Sequence, residues 1–172
     1  MRLQRAVFLI ALTMSVVAAH AASAPRAQKM LPAANTITGF AIAPGSLQYA
    51  KGNDLTKIYD GAVDTYTKNG VIDAAAQMYQ RKDDLVEVVI HTVKSEKAAM
   101  GFLKYWQKEH KVKSLTKGKT RTSFEITSPY LMVYFVVNKY FVTVSAGYPL
   151  ATARKDVGAF VNLTDKRIRT VR

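Results

Sequence analysis

Residues 85–93, with the sequence LVEVVIHTV, restrict the fold of this chain more than any other stretch. Most of them are β-branched, and such residues favour a pleated, packed strand. Side chains alternate along a strand, so Val86, Val88 and Ile90 share one apolar face, while the opposite face is mixed. A strand of this kind needs neighbours on both edges and cover on both faces. We therefore predict that residues 85–93 form a central strand of a β-sheet.

A helix is expected directly after this strand. Ser95 stands at the N-cap position, where its hydroxyl can accept a hydrogen bond from a backbone amide one turn further on. Apolar residues then follow at helical spacing and give one apolar stripe. They are Ala98, Ala99, Phe102, Leu103 and Trp106. The pattern predicts an amphipathic helix that packs on the sheet.

Short turns join most of the predicted strands. Residues 71–81 connect to the central strand through residues 82–83, so the two strands should pair as an antiparallel hairpin. Residues 138–139 connect the strand at 130–137 to the strand at 140–146 in the same way. Strands joined by such turns are antiparallel neighbours, and we expect the whole sheet to be antiparallel.

Three helices are expected on this sheet. The first covers residues 53–69, with an apolar stripe from Leu55 to Tyr66; the second begins at Ser95, and the third follows Pro149. Two short strands precede the first helix and three strands separate the second helix from the third. The predicted order is ββ-α-ββ-α-βββ-α. This order predicts an α+β domain, an antiparallel β-sheet with three helices packed on it.

The N-terminal residues have the pattern of a secretory signal peptide. Arg2 and Arg5 precede an apolar stretch at residues 6–19, and residues 19–21 (Ala-His-Ala) match the small-x-small cleavage site. The apolar stretch is shorter than the roughly 20 residues that a membrane-spanning helix needs. We expect cleavage after residue 21; the alternative is a retained membrane anchor.

This cleavage would divide the chain into a signal peptide at residues 1–21, a flexible lead-in at residues 22–30 and a single α+β domain at residues 31–172. The chain has no cysteine, which excludes a lipid-anchored lipoprotein and any disulfide bond. A protein without cysteine suits a bacterial periplasm or an extracellular space, where disulfides are optional. We expect an exported protein, periplasmic or extracellular, with no transmembrane segment after signal cleavage.

Several short motifs between residues 31 and 106 form a recognisable set. They are Leu31-Pro32, Gly39-Phe40, Leu55-x-x-Ile58-Tyr59-Asp60-Gly61-Ala62, Asn69-Gly70, and Ala98-Ala99-Met100-Gly101-Phe102. This set resembles a bacterial family of exported proteins, the domain-of-unknown-function family 6599. Two positions depart from the family pattern, which has Asn-Gly at residues 60–61 and an aromatic residue at Met100. The resemblance implies export and a single α+β domain, but no established activity, so it transfers no catalytic residue.

The sequence has no pattern typical of a cofactor, a metal site or a catalytic centre. His20 leaves with the signal peptide, and His91 and His110 are too far apart for a ligand motif. No serine lies in a Gly-x-Ser-x-Gly motif, and no glycine-rich loop could hold a phosphate. We therefore expect no cofactor and no metal, and we assign no catalytic residue.

His91 lies on the mixed face of the central strand, where two interpretations remain. It is either a hydrogen-bonded histidine of the core or the base of a hydrolase. The second interpretation requires a Ser, Asp or Glu within hydrogen-bond reach of His91 in a cleft. His110 stands among lysines at the end of the second helix, and we expect it to be solvated.

Basic side chains concentrate at the end of the second helix and in the segment that follows it. The chain has 25 Lys and Arg against 12 Asp and Glu, a formal net charge of +13. The candidate binding residues of this region are Lys111, Lys113, Lys117, Lys119 and Arg121. They are either solvated or contact an anionic partner such as an envelope glycan or a lipid head group. The signal peptide and the lack of a nucleic-acid-binding motif argue against nucleic acid.

Tyr130, Met132 and Tyr134 share one face of a predicted strand and form a second group of candidate binding residues. If this face is exposed, it marks a binding surface. The alternative is that a loop or a terminal segment covers it.

Three glycines lie inside predicted helices, where each costs about 1 kcal/mol relative to alanine. They are Gly61, next to Asp60, Gly101 and Gly158. Gly158 is interpreted as a tolerated glycine, whereas two interpretations remain for Gly61 and Gly101. At Gly61 and Gly101, either another backbone or a ligand approaches closely, or the glycines are merely tolerated on exposed helix flanks.

Three functions are compatible with these observations. The first is a non-enzymatic exported binding or interaction domain, which contacts an anionic envelope component or a small ligand through its open sheet face or its basic region. The second is a hydrolase that uses His91, and the third is a structural component of the envelope.

Overall fold

The strands of the protein form one antiparallel sheet. A computed structural model describes residues 24–59 and 61–171. Its strands are β1 (Ala41–Ile42), β2 (Gln48–Lys51), β3 (Val71–Arg81), β4 (Asp84–Val93), β5 (Thr116–Lys117), β6 (Thr122–Ile126), β7 (Leu131–Val137) and β8 (Tyr140–Ala146). The order across the sheet is β1-β3-β4-β8-β7-β6-β5, and β2 also pairs with β3.

Helices cover both faces of this sheet. They are α1 (Arg26–Met30), a 3₁₀ helix (Gly52–Lys57), α2 (Val63–Lys68), α3 (Glu96–Glu109) and α4 (Leu150–Thr170). The core on one face joins the sheet to α1 and α4, and the core on the other face joins it to α3. The predicted fold class, an antiparallel sheet with helices packed on it, is confirmed. Within the described ranges, no helix is both long and apolar enough to cross a bilayer.

The central position of β4 is also confirmed. It pairs with β3 along one edge and with β8 along the other. Val86, Val88 and Ile90 are 0% exposed on the α4 side, as the alternation predicted. His91 and Val93 are equally buried on the α3 side, so the mixed face is covered more completely at this end than at Glu87.

The predicted first helix is wrong as a single element. The structure has a 3₁₀ helix and the short α2 in its place, and Gly61 lies between them with φ +75°. This left-handed conformation cannot continue a right-handed helix, and glycine adopts it without the strain that a Cβ would bring. The apolar period on both sides of Gly61 predicted helical turns correctly but concealed the interruption.

The flexible lead-in predicted for residues 22–30 is wrong for its second half, which forms α1. Ala27 and Met30 are 1% and 0% exposed, and Arg167 of α4 donates a hydrogen bond to the Met30 carbonyl over 3.1 Å. Two buried side chains on one turn of helix give this segment enough contact with the core to be ordered. The predicted signal peptide, residues 1–21, lies outside the described residues.

Two buried aspartates hold α4 against the rest of the domain. Asp156 accepts hydrogen bonds from Arg81, at 3.1 Å, and from the Tyr148 hydroxyl, at 2.9 Å. Asp165, nine residues further on, accepts from Arg121 at 2.9 Å and from Thr120 at 2.6 Å. These contacts tie α4 to the β3–β4 hairpin at one end and to the loop before β6 at the other.

The predicted cap of α3 is confirmed, because the Ala98 amide donates a hydrogen bond to the Ser95 hydroxyl over 3.1 Å. We expect Ser95→Ala to lower the free energy of unfolding by about 1 kcal/mol, since it leaves a first-turn amide without its acceptor. Urea titration followed by circular dichroism measures this change. Ser114→Ala, at an exposed loop position, is the control. Equal losses in the two variants would contradict the capping role.

Candidate ligand-binding groove

The helices on the α3 side cover only part of the sheet face. Paired residues of adjacent strands lie side by side, so the side chains form rows across β3, β4, β8 and β7. The covered row is Ala74, His91, Phe141 and Val136; the middle row is Ala76, Val89, Thr143 and Tyr134; and the open row is Met78, Glu87, Ser145 and Met132. Cover by α3 decreases from the first row to the third.

His91 lies in the covered row, beneath α3, and is 1% exposed. Its Nδ1–H donates to the Phe141 carbonyl over 2.8 Å, and its Nε2 accepts from the Tyr59 hydroxyl. The ring centroid of Phe102 from α3 lies 6.5 Å away. Burial lowers the pKa of His91 to about 4, although the bond to the Phe141 carbonyl opposes this shift. His91 is therefore neutral at pH 7.

These contacts do not meet the requirement of the hydrolase hypothesis. The hydrogen-bond partners of His91 within the described ranges are a phenol and a backbone carbonyl, and no Ser, Asp or Glu is among them. The structure thus contradicts a catalytic role for His91 and supports its interpretation as a core histidine. The prediction that His110 is solvated is also wrong: His110 is half-buried and shares a 2.8 Å hydrogen bond with the Tyr134 hydroxyl.

Above the middle row lies a cavity of about 210 Å³, which we call the aromatic cavity. Its lining includes Tyr59, Tyr66, Glu87, Trp106, Tyr134 and Thr143. The interruption at Gly61 shapes one wall, because it lets the rings of Tyr59 and Tyr66 stack with their centroids 3.7 Å apart. In one continuous helix, residues seven apart would be separated by about 10.5 Å along the axis.

Above the open row lies a second cavity of about 200 Å³, which we call the apolar cavity. Its lining includes Met78, Leu85, Glu87, Tyr130, Ser145 and Gly147. Met78, Leu85 and Tyr130 are 40%, 44% and 43% exposed, so an apolar surface remains in contact with solvent here. Glu87 lines both cavities, and together they form one feature, the sheet groove.

Two polar groups of the sheet groove have unused hydrogen-bonding capacity. Burial raises the pKa of the Glu87 carboxyl, and none of the ion pairs formed among the described residues includes it. The buried indole N–H of Trp106 has no acceptor in the part of the chain that the structure describes. Leaving the Glu87 carboxyl unpaired in a partly dry site is unfavourable, so a ligand that pairs with it gains affinity.

A third cavity, of about 290 Å³, lies on the α4 side of the sheet and is lined by Arg121, Ser123, Glu125, Arg154, Val157 and Gly158 among others. Its charged groups already have partners. Arg121 pairs with Asp165 at 2.9 Å, and Arg154 pairs with Glu125 at 2.6 Å. Although this cavity is larger than either cavity of the sheet groove, the sheet groove is the better candidate because its carboxyl is not paired within the described chain.

The candidate residues of β7 and the segment before it lie at the sheet groove. Tyr130 and Met132 line it, whereas Tyr134 is only 6% exposed and forms its floor. Tyr134 is covered by α3, since the Trp106 ring lies 6.1 Å from its ring, rather than by a loop or a terminal segment. Sequence reasoning missed Glu87 and Trp106; the available signal for Glu87 was an acidic residue in the interior of a strand made mostly of β-branched residues.

The basic candidates lie outside the sheet groove. Lys111, Lys113, Lys117 and Lys119 are exposed, and contact with an anionic partner stays a prediction for them. Arg121 is half-buried, and its bonds to Asp165 and Asn162 hold the preceding loop on α4.

The glycine positions show no close approach by another part of the described chain. A Cβ added to Gly61 or Gly101 would meet none of the described atoms within 4 Å. Gly61 is explained by its positive φ instead, while approach of a ligand at Gly101 stays a prediction. Asp60 lies outside the described residues.

Comparisons with known proteins give one similar structure. No protein-family model and no curated protein sequence matches the chain. Among solved structures, the extracellular domain of PknH from Mycobacterium tuberculosis is similar, with 14% sequence identity and a TM-score of 0.49. The similarity covers 84% of this chain and 95% of that domain.

Proposed function

We propose that this protein is an exported, non-enzymatic domain that binds a small molecule in the sheet groove. The signal-peptide pattern of residues 1–21 supports export, and so does the resemblance to the exported domain-of-unknown-function family 6599. That the chain belongs to this family is part of the proposal. Binding is supported by the groove itself, a concave and largely apolar site with few polar groups, as small-molecule sites usually are.

The observation that carries the proposal is the open row beside Trp106. A sheet face normally buries its apolar side chains under helices, and α3 does so for the covered row and part of the middle row. The open row is covered less completely, since Met78 is exposed and Glu87 and Met132 are half-buried, and Glu87 stands there at the junction of two cavities. An apolar surface next to an unpaired carboxyl marks a place where a ligand completes the packing.

Trp106 provides a direct test, because it is the single tryptophan of the chain and lines the aromatic cavity. Envelope metabolites, including amines, carboxylates and saccharides, are screened by Trp106 fluorescence and by thermal shift. We expect at least one class to change the emission and to raise Tm, since a ligand that binds only the folded state stabilises it.

Two matched substitutions locate the binding site. Thr143→Phe places a ring in the aromatic cavity, and Ser123→Phe does the same in the cavity on the α4 side. We expect the first variant to lose binding and the second to keep it. The proposed site would be contradicted if Ser123→Phe lost binding while Thr143→Phe kept it, or if no compound in the screen bound.

A further inference from the structure

The walls of the aromatic cavity point to the charge of its ligand. Four aromatic side chains line one small space: Tyr59, Tyr66, Trp106 and Tyr134. Their rings form a continuous set, since the centroid of Trp106 lies 6.2 Å from that of Tyr66 and 6.1 Å from that of Tyr134. The faces of aromatic rings carry partial negative charge and attract cations within about 6 Å.

The carboxyl of Glu87 reinforces this preference. It faces the aromatic cavity, and its charge raises the pKa of the Tyr66 hydroxyl, after burial, which is the larger cause. None of the lysines and arginines in the described chain forms an ion pair with it. A desolvated carboxylate without a counter-ion is unfavourable and would repel an anion, whereas a cation would relieve both problems.

We propose that the sheet groove binds small organic cations, with an ammonium or quaternary ammonium group in the aromatic cavity against Glu87. This inference rests on the proposed function and specifies its ligand class. The rest of the ligand lies along the apolar cavity, on Met78, Leu85 and Tyr130. Pockets for drug-sized molecules measure about 300–1,000 Å³, so a cavity of about 210 Å³ fits an ammonium group with a short substituent.

Three compounds of nearly equal shape isolate the charge. They are choline, its neutral isostere with a tert-butyl group in place of trimethylammonium, and pivalate, an anion with the same tert-butyl group. Each is titrated into the full-length protein up to millimolar concentrations and followed by Trp106 fluorescence. We expect choline to bind about tenfold or more tightly than the neutral isostere, and pivalate to bind least.

Glu87→Gln keeps the shape of the side chain and removes its charge. We expect it to weaken choline binding about tenfold and to leave binding of the neutral isostere unchanged. The matched control is Glu125→Gln, at an exposed carboxyl on the opposite face of the sheet, which should bind choline like the wild type. Tyr66→Leu should also weaken choline binding, and the thermal melting of each variant shows that it is folded.

The outcomes separate this inference from the proposed function. If the neutral isostere or pivalate binds as tightly as choline, the preference for a cation is overturned. If Glu87→Gln binds choline normally, the placement of the cation against Glu87 is overturned. In both cases binding in the sheet groove stands. If choline leaves Trp106 emission unchanged but a carboxylate or a saccharide of the metabolite screen binds and is blocked by Thr143→Phe, the preference for a cation is likewise overturned. If no compound of any class binds, both proposals fail.

Discussion

Phe102→Ala will lower the free energy of unfolding by about 3–5 kcal/mol. The Phe102 side chain is 0% exposed. Its ring centroid lies 4.5 Å from that of Phe141 in the sheet and 5.3 Å from that of Tyr66 in α2. Its removal leaves a cavity where α3, α2 and β8 meet, because the surrounding chain relaxes only in part. Domains of this size are stable by about 5–15 kcal/mol, so this loss is a substantial part of the total stability.

The adjacent residue supplies the control. Gly101 is exposed and helical, and a Cβ there would meet none of the described atoms within 4 Å. Gly101→Ala should therefore raise the free energy of unfolding by about 1 kcal/mol. Urea denaturation followed by circular dichroism measures both variants. A loss below about 1 kcal/mol for Phe102→Ala would contradict the packing of α3 described above.

Acid will destabilise the protein through His91, by about 3 kcal/mol between pH 6.5 and pH 4. Burial lowers the pKa of His91 from 6.5 to about 4 in the folded state. Between these values the unfolded chain takes up a proton that the folded protein does not. The stability contributed by neutral His91 is thus complete above pH 6.5, falls as the pH decreases, and is lost below about pH 4.

The measured quantity is the difference in unfolding free energy between the wild type and His91→Gln as the pH is varied. This difference is needed because burial raises the pKa of Glu87, which makes acid stabilising at that site. His110→Gln is the matched control, since His110 hydrogen-bonds Tyr134 at the rim of the same core. We expect His91→Gln to remove the loss of unfolding free energy that His91 causes between pH 6.5 and pH 4, and His110→Gln to retain that loss. An unchanged slope in His91→Gln would contradict the assignment.

Local sequence patterns predicted most of the framework. β4, the two hairpins and α4 follow from alternation, short turns and helical period, which are properties of neighbouring residues. The buried side of α4 also follows the helical period of its apolar residues, since Ala153, Val157, Phe160, Val161 and Ile168 are all buried. Such elements need no knowledge of distant contacts, because each carries its own apolar face.

The parts of the fold and of the candidate site that were not predicted from the sequence depend on contacts between distant residues. The helix α1 is a single short turn, which would not persist without burial against α4 and the sheet. The interruption at Gly61 resembles a tolerated helical glycine until the stacking of Tyr59 on Tyr66 is known. Similarly, the sequence places Glu87 on a mixed strand face, but only the fold shows that α3 ends before covering it.

The strands at both edges of the sheet are short, and this protects a protein with exposed apolar side chains from aggregation. At one margin β3 is flanked by β1 and β2, of 2 and 4 residues, and at the other β5 has 2 residues. Unpaired amides along a long, straight margin invite strands from other molecules and seed fibrils. A strand from another molecule would form few backbone hydrogen bonds with these short edge strands. The exposed Met78, Leu85 and Tyr130 can therefore stay available without turning the molecule into a template for aggregation.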